Sequence, residues 1–263
     1  MRLLLACIDG LAWPLEEPPP FLAECLQKGA AGPLPGFSPS EAAWRMDGEP
    51  FWPLLSQAGL KLGLMNLPGL WPAQQIKGFM VCRETSGSAG GNWTHPPELA
   101  HDLGDYAQAK PLPSGAEAWK TALKDTAFAE AAALARLRYE HFRRLCAQYQ
   151  PEVGALAWSA LATARELFGS EAGRTDLMLA QLDAYLARLR DEFQPDALAL
   201  MGAGWAGQPG AVIILAPHRI QAGRLPRAAW PQVLPALLDL AGLPSARAAG
   251  LLGDLPGNGE TPS

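Results

Sequence analysis

The stretch that most constrains this chain is its beginning, where the apolar run from Leu3 to Ile8, within a strand from Arg2, stops abruptly at Asp9-Gly10. A strand with no polar alternation is buried on both faces, which is the pattern of a parallel sheet covered by helices. Open sheets of this kind build their sites at the C-terminal ends of strands, so the carboxylate of Asp9 stands where a metal ion or a nucleophile is usually held.

Further strands are expected at Lys61 to Met65, Gly78 to Cys82, Val153 to Trp158, Ala197 to Met201 and Ala211 to Leu215. Between them fall helical patterns. Phe21 to Lys28 follows a proline-rich loop and stops at Gly29, and Phe51 to Gln57 stops before Gly59. Two long helices are expected, one from about Ala116 to Gln148 with Leu134, Leu137, His141/Phe142 and Leu145 on one stripe, and one from Arg174 to Phe193. A last helix spans Trp230 to Ala241. Gly32 to Asp47 and the glycine-rich Ser86 to Gly91 are expected to be loops. The alternation predicts an α/β fold, a mostly parallel central sheet with helices on both faces, as one domain over residues 1–252 and a disordered tail over 253–263.

The net charge of -5 argues against a nucleic-acid partner, which needs a concentrated basic surface. Arg136, Arg138, Arg143 and Arg144 form the one basic cluster and read as the solvated face of a helix. Cys7, Cys25, Cys82 and Cys146 have no metal-binding or redox spacing and read as small hydrophobes in a reducing cytoplasm. Leu4-Leu5-Ala6-Cys7 imitates a lipoprotein cleavage site, but the apolar stretch before it is too short for a signal peptide. No stretch is apolar enough to span a membrane. His95, His101, His141 and His218 are not spaced as ligand pairs and read as surface or structural histidines. Trp13, Trp44 and Trp52 read as packing anchors.

Ile8-Asp9-Gly10-Leu11-Ala12-Trp13, then Pro39-Ser40-Glu41-Ala42-Ala43-Trp44, then Phe51-Trp52-Pro53-Leu54-Leu55 resembles the alkaline phosphatase superfamily, in its type I phosphodiesterase/nucleotide pyrophosphatase branch. Gly63 to Pro68, Lys77 to Val81, Thr94 to Leu99 and Pro235 to Pro244 are similar in the same order. The resemblance implies two divalent ions, usually zinc, flanking a Thr or Ser nucleophile. It puts Asp9 at the strand-one metal ligand and Ser40 at the nucleophile.

The same resemblance implies an Asp-x-x-x-His motif after Val153 to Trp158 and an Asp-His-Gly motif after Ala197 to Met201. This chain has Ser159-Ala160-Leu161-Ala162-Thr163 and Gly202-Ala203-Gly204 there, and no histidine between Trp205 and Gly210. The chain also passes within a few residues from Trp44 to Phe51-Trp52, where the family runs on to a His-Gly, so the domain is a trimmed one. Asp9 and Ser40 alone cannot hold a pair of ions, because a catalytic zinc takes three protein ligands.

The expectation is therefore a retained fold with vestigial Asp9 and Ser40, no cofactor, and a binding or scaffolding role toward a protein partner or small ligand. The alternative is an active metal-dependent hydrolase of phosphate or sulfate esters, with Ser40 attacking and ligands recruited from Glu41, Asp47 or a partner subunit.

Overall fold

The structure is a computed structural model that describes residues 1–37, 44–46, 49–82, 92–104, 106, 121–169, 172–217, 219–225 and 230–243. The expected loop Ser86 to Gly91, the residues Ser40, Glu41, Asp47 and His218, and the tail 253–263 lie outside the described residues.

Strand β1 (Leu3–Ile8) is fully buried and lies at the middle of the main sheet. Its side chains alternate between two cores: Leu3, Leu5 and Cys7 join one, Leu4, Ala6 and Ile8 the other. That division explains why the run carries no polar residue, since burying each leucine contributes about 2 kcal/mol on either face. The remaining strands are β2 (Ala30–Leu34), β3 (Arg45–Met46), β4 (Glu49–Pro50), β5 (Leu62–Met65), β6 (Gly78–Val81), β7 (Thr94–His95), β8 (Val153–Trp158), β9 (Ala197–Met201), β10 (Gly210–Leu215) and β11 (Gly223–Arg224). Among the described residues the main sheet runs β11-β2-β10-β9-β1-β8-β5-β6-β7, with β3 and β4 pairing apart from it.

The pairings of β1 with β8 and β9, of β5 with β6 and β8, and of β11 with β2 are parallel. Those of β10 with β2 and β9, and of β6 with β7, are antiparallel. The predicted mostly parallel α/β sheet is thus present as a mixed sheet whose central strands β9, β1, β8, β5 and β6 run together. Their C-terminal ends share one edge.

The expectation of a loop from Gly32 is corrected by β2, which reaches Leu34. Its sequence, Ala-Ala-Gly-Pro-Leu, has little strand character, and pairing with β10 overrides that local preference. The small residues are needed there, because a Cβ at Gly32 would stand 2.7 Å from the Leu225 carbonyl oxygen.

Helices α1 (Pro20–Lys28), α4 (Thr121–Tyr149), α5 (Ala160–Phe168) and α6 (Ala172–Phe193) contribute to the core that holds Leu4, Ala6 and Ile8. Helices α2 (Phe51–Gln57) and α7 (Trp230–Leu240) contribute to the opposite core, with the fully buried Trp44 and Trp52. The four-residue α3 (Leu99–Asp102) carries His101.

The expected stripe on α4 is shifted. Ala127, Ala131, Ala135, Arg138, Phe142 and Leu145 face inward, whereas Leu134 and Leu137 are partly buried at its flank. Arg138, at 6% exposure, is accordingly not part of a solvated face, unlike Arg136, Arg143 and Arg144. None of the described helices is long and apolar enough to cross a membrane.

Candidate functional site

Asp9 leaves the end of β1 held by its backbone N–H, which donates to the Trp158 carbonyl at 2.8 Å. Gly10 then turns with φ +89°, and a Cβ there would lie 2.9 Å from the backbone nitrogen of Ala162. Glycine at this position satisfies both demands, a left-handed backbone and the close approach of α5. Helix α5 is built from the small apolar stripe Ala160, Leu161, Ala164 and Leu167, all buried, and ends at Gly169 with φ +58°.

The approach of α5 brings Glu166 close enough to Asp9 for one charge to act on the other. Partial desolvation first, and the negative charge of Asp9 second, raise the Glu166 carboxyl above its ordinary value. Sequence reasoning missed Glu166, because the expected ligand positions were Ser159 and Thr163. Ser159 instead accepts at its carbonyl from Thr163, through the backbone N–H at 3.0 Å and the Oγ1 hydroxyl at 3.1 Å. Thr163 is thereby turned back onto its own helix.

At the end of β9 the chain is pressed against the segment after Gly10. A Cβ at Gly202 would stand 2.3 Å from Leu11 Cβ and 2.4 Å from Leu11 O. Leu11 is fixed there: its carbonyl accepts from Ala211 N–H at 3.1 Å, and Trp13 N–H donates to Pro209 O at 2.9 Å. The adjacent Gly204 is equally crowded, with a Cβ 2.1 Å from Gln208 O.

No pair of histidines forms a site among the described residues. His95 has Nε2 at 3.0 Å from the Ile76 carbonyl, His101 is exposed on α3, and His141 is buried with its ring edge-on to Tyr106, centroids 6.1 Å apart. Among the described residues no three His, Cys, Asp or Glu side chains are grouped to hold a metal ion. Asp9 and Glu166 provide two carboxylates, one fewer than a catalytic zinc takes. The described residues therefore do not fit a two-ion centre.

The four thiols are buried. Burial pushes Cys25 and Cys82 up to about 12, and it raises Cys7 and Cys146 as well. None has the depressed pKa of a reactive nucleophile.

A second polar group lies on the same edge, two strands from β1 and beyond β8. Asn66 follows the last residue of β5, is 3% exposed and has φ +62°. Its Oδ1 accepts from the Tyr106 hydroxyl, and Tyr106 in turn stacks on Trp93. Arg138 Nη1 donates to Ser159 Oγ at 3.4 Å. Nothing in the sequence marked Asn66. Arg138 could have been found from its spacing with Ala135, Phe142 and Leu145.

No protein-family model matches the sequence, and no curated protein matches it either. Solved structures do. Murine ectonucleotide pyrophosphatase/phosphodiesterase 5, in an inactive form in complex with AMP, superposes with a TM-score of 0.57 at 9% identity, over 97% of this chain and 99% of that one. The lipoteichoic acid synthase LtaP from Listeria monocytogenes gives 0.55 at 10% identity, over 95% of this chain and 74% of that one. Against another structure of the murine protein the chain spans just over half the length, 56%, with a TM-score of 0.44 at 10% identity. At such identities the likeness is one of fold: this chain shares the α/β fold of murine ectonucleotide pyrophosphatase/phosphodiesterase 5 and of LtaP.

Proposed function

We propose that this chain is a catalytically degenerate protein of the phosphodiesterase/nucleotide pyrophosphatase type, whose sheet edge binds a small ligand or a protein partner without hydrolysing it. The observation that carries this reading is the packing of Leu11 against Gly202. Where the resemblance implies a metal-binding aspartate, a side chain has no room. Ser159 and Thr163 support the same reading, since neither is a carboxylate or imidazole and Thr163 is bonded into α5. Four buried thiols, each raised by burial, fit a reducing compartment, and a cytoplasmic location is part of the proposal. Elemental analysis after purification in zinc-supplemented medium tests it. The expected result is less than one transition ion per chain, and a stoichiometric ion contradicts it.

A second reading is favoured by one observation, the mutual influence of Asp9 and Glu166. In that reading the chain is an active metal-dependent hydrolase of phosphate or sulfate esters, with Ser40 as nucleophile and Glu41 or Asp47 completing the ligand set. Stoichiometric metal lost on Glu166→Ala selects this reading over the first.

A further inference from the structure

Towards the β11 end of the sheet the structure holds an open cleft of about 760 Å³ over β2 and β11, which lie three and four strands from β1. Ala31 and Pro33 of β2 form its floor, Leu26 of α1, Trp13 and Pro209 its walls, and Arg224 of β11 its outer rim. Neither Asp9 nor Glu166 lines it.

The cleft follows from the local sequence. Alternate residues of a strand share a face, so Ala31 and Pro33 point together toward the core that α1 helps to form. Side chains this small leave the space that a larger pair would fill. The strand register pairs Arg224 with Ala31, which puts the arginine side chain on the same face. Main-chain bonds hold the frame: Trp13 N–H donates to the Pro209 carbonyl at 2.9 Å, and Leu225 N–H, next to Arg224, donates to the Ala31 carbonyl at 2.8 Å. The volume falls within the roughly 300–1,000 Å³ usual for small-molecule sites.

The polar groups of the lining are of one kind. Arg224 is its one ionisable side chain, and among the described residues the guanidinium has neither an ion pair nor a hydrogen-bond acceptor. The indole N–H of the half-buried Trp13 has no acceptor among them either. Both side chains are donors, and no carboxylate stands in the cleft to repel an anion. A carboxylate matches the single charge of Arg224 and the fork of its N–H groups. An exposed ion pair alone contributes little, so the ligand must also carry an apolar body that covers Leu26, Pro33, Pro209 and the Trp13 ring.

We propose that the cleft between α1 and β11 binds a small organic carboxylate with an apolar body, its carboxylate on Arg224 and its body against Trp13 and Leu26. Metal binding or hydrolysis at the Asp9 edge leaves the outcomes of its test unchanged.

The test is NMR titration of the full chain with phenylacetate and with octanoate, at an ionic strength matched with chloride. Trp13→Phe identifies the Trp13 indole N–H signal among those of the nine tryptophans. Wild type is expected to bind at least one of the two carboxylates saturably, at millimolar or tighter affinity, with movement of the Trp13 signal. Arg224→Gln should weaken that binding about fivefold or more, the loss of a charge-assisted hydrogen bond. Arg224 is exposed on a two-residue edge strand, so its replacement spares the core. Phenylacetamide, which keeps the ring and lacks the charge, should bind wild type more weakly than phenylacetate by a similar factor, a comparison that involves no variant.

No saturable binding of either carboxylate overturns the proposal. Binding that leaves the Trp13 signal unmoved, that survives Arg224→Gln, or that phenylacetamide equals overturns it as well.

Discussion

The carboxylate of Asp183, on α6, accepts the backbone N–H of Leu22 at 2.7 Å and also that of Phe21 at 3.0 Å, although the residues are far apart in sequence. Helix α1 begins Pro19-Pro20 with no side-chain cap of its own, so its open N–H groups are satisfied across the interface by α6. Asp183 is 5% exposed, and both N–H groups lose their partner if it is removed. Asp183→Ala is expected to lower stability by about 2 kcal/mol, the cost of a lost cap plus a buried unsatisfied donor. Urea denaturation followed by circular dichroism measures it, and a change within experimental error shows that water replaces the carboxylate.

The same interface carries a charge clamp with a defined pH signature. Arg190 lies over the Phe21 ring at 5.0 Å and donates to Glu24 at 3.1 Å, and Lys28 donates to Glu24 at 3.0 Å. Arg190 first, and Lys28 next, hold the Glu24 carboxyl below its ordinary value. A carboxyl depressed in the folded state contributes stability that is present above its unfolded pKa and lost as pH falls through the folded one. Glu24→Gln should therefore cost about 0.5–1 kcal/mol at neutral pH and nothing once wild-type Glu24 is protonated. Unfolding curves of the two proteins converge at acid pH, and parallel curves would exclude the linkage.

The Asp9 and Glu166 pair predicts the opposite sign. A carboxyl raised in the folded state favours folding below its unfolded pKa, and that contribution is lost as pH rises through the folded value. Asp9→Asn removes the neighbouring charge but leaves the desolvation, so the Glu166 carboxyl should titrate lower than in wild type while staying above its ordinary value. Carbon-detected NMR titration of the glutamate carboxyls reports this. An unchanged Glu166 would separate the two groups.

The legible parts of the fold were those in which burial dictates composition. The Leu3 to Ile8 run could only be a strand covered on both sides, and the helix expected from Arg174 to Phe193 is α6. Strand β2 was hidden because its alanines, glycine and proline have no preference for strand. Its place is set by β10 and by the tight approaches at Gly29 and Gly32, which are tertiary facts. Helix α5 escaped because it is short and follows β8 almost without a break, and with it went Glu166.

Around the candidate site, the place of Asp9 at the end of β1 was legible, because a carboxylate ending an apolar strand is conspicuous. Asn66 was not, since an asparagine after a strand looks like a surface residue until burial is known, and Arg138 was passed over among four arginines although its spacing with Ala135, Phe142 and Leu145 puts it on the inner face of α4. The crowding of Gly202 by Leu11 is likewise invisible in sequence, because it depends on how the segment after Gly10 crosses the end of β9.

The central claim is that this edge binds without turning its ligand over. Hydrolysis of bis(4-nitrophenyl) phosphate by metal-supplemented wild type and Ser40→Ala tests it most directly. A serine hydroxyl needs a metal or a positioned base to attack phosphorus, and base catalysis alone supplies roughly 10² to 10⁴ in rate. Release of nitrophenol at the blank rate by both proteins is the predicted result. Turnover by wild type clearly above blank that Ser40→Ala abolishes would contradict it.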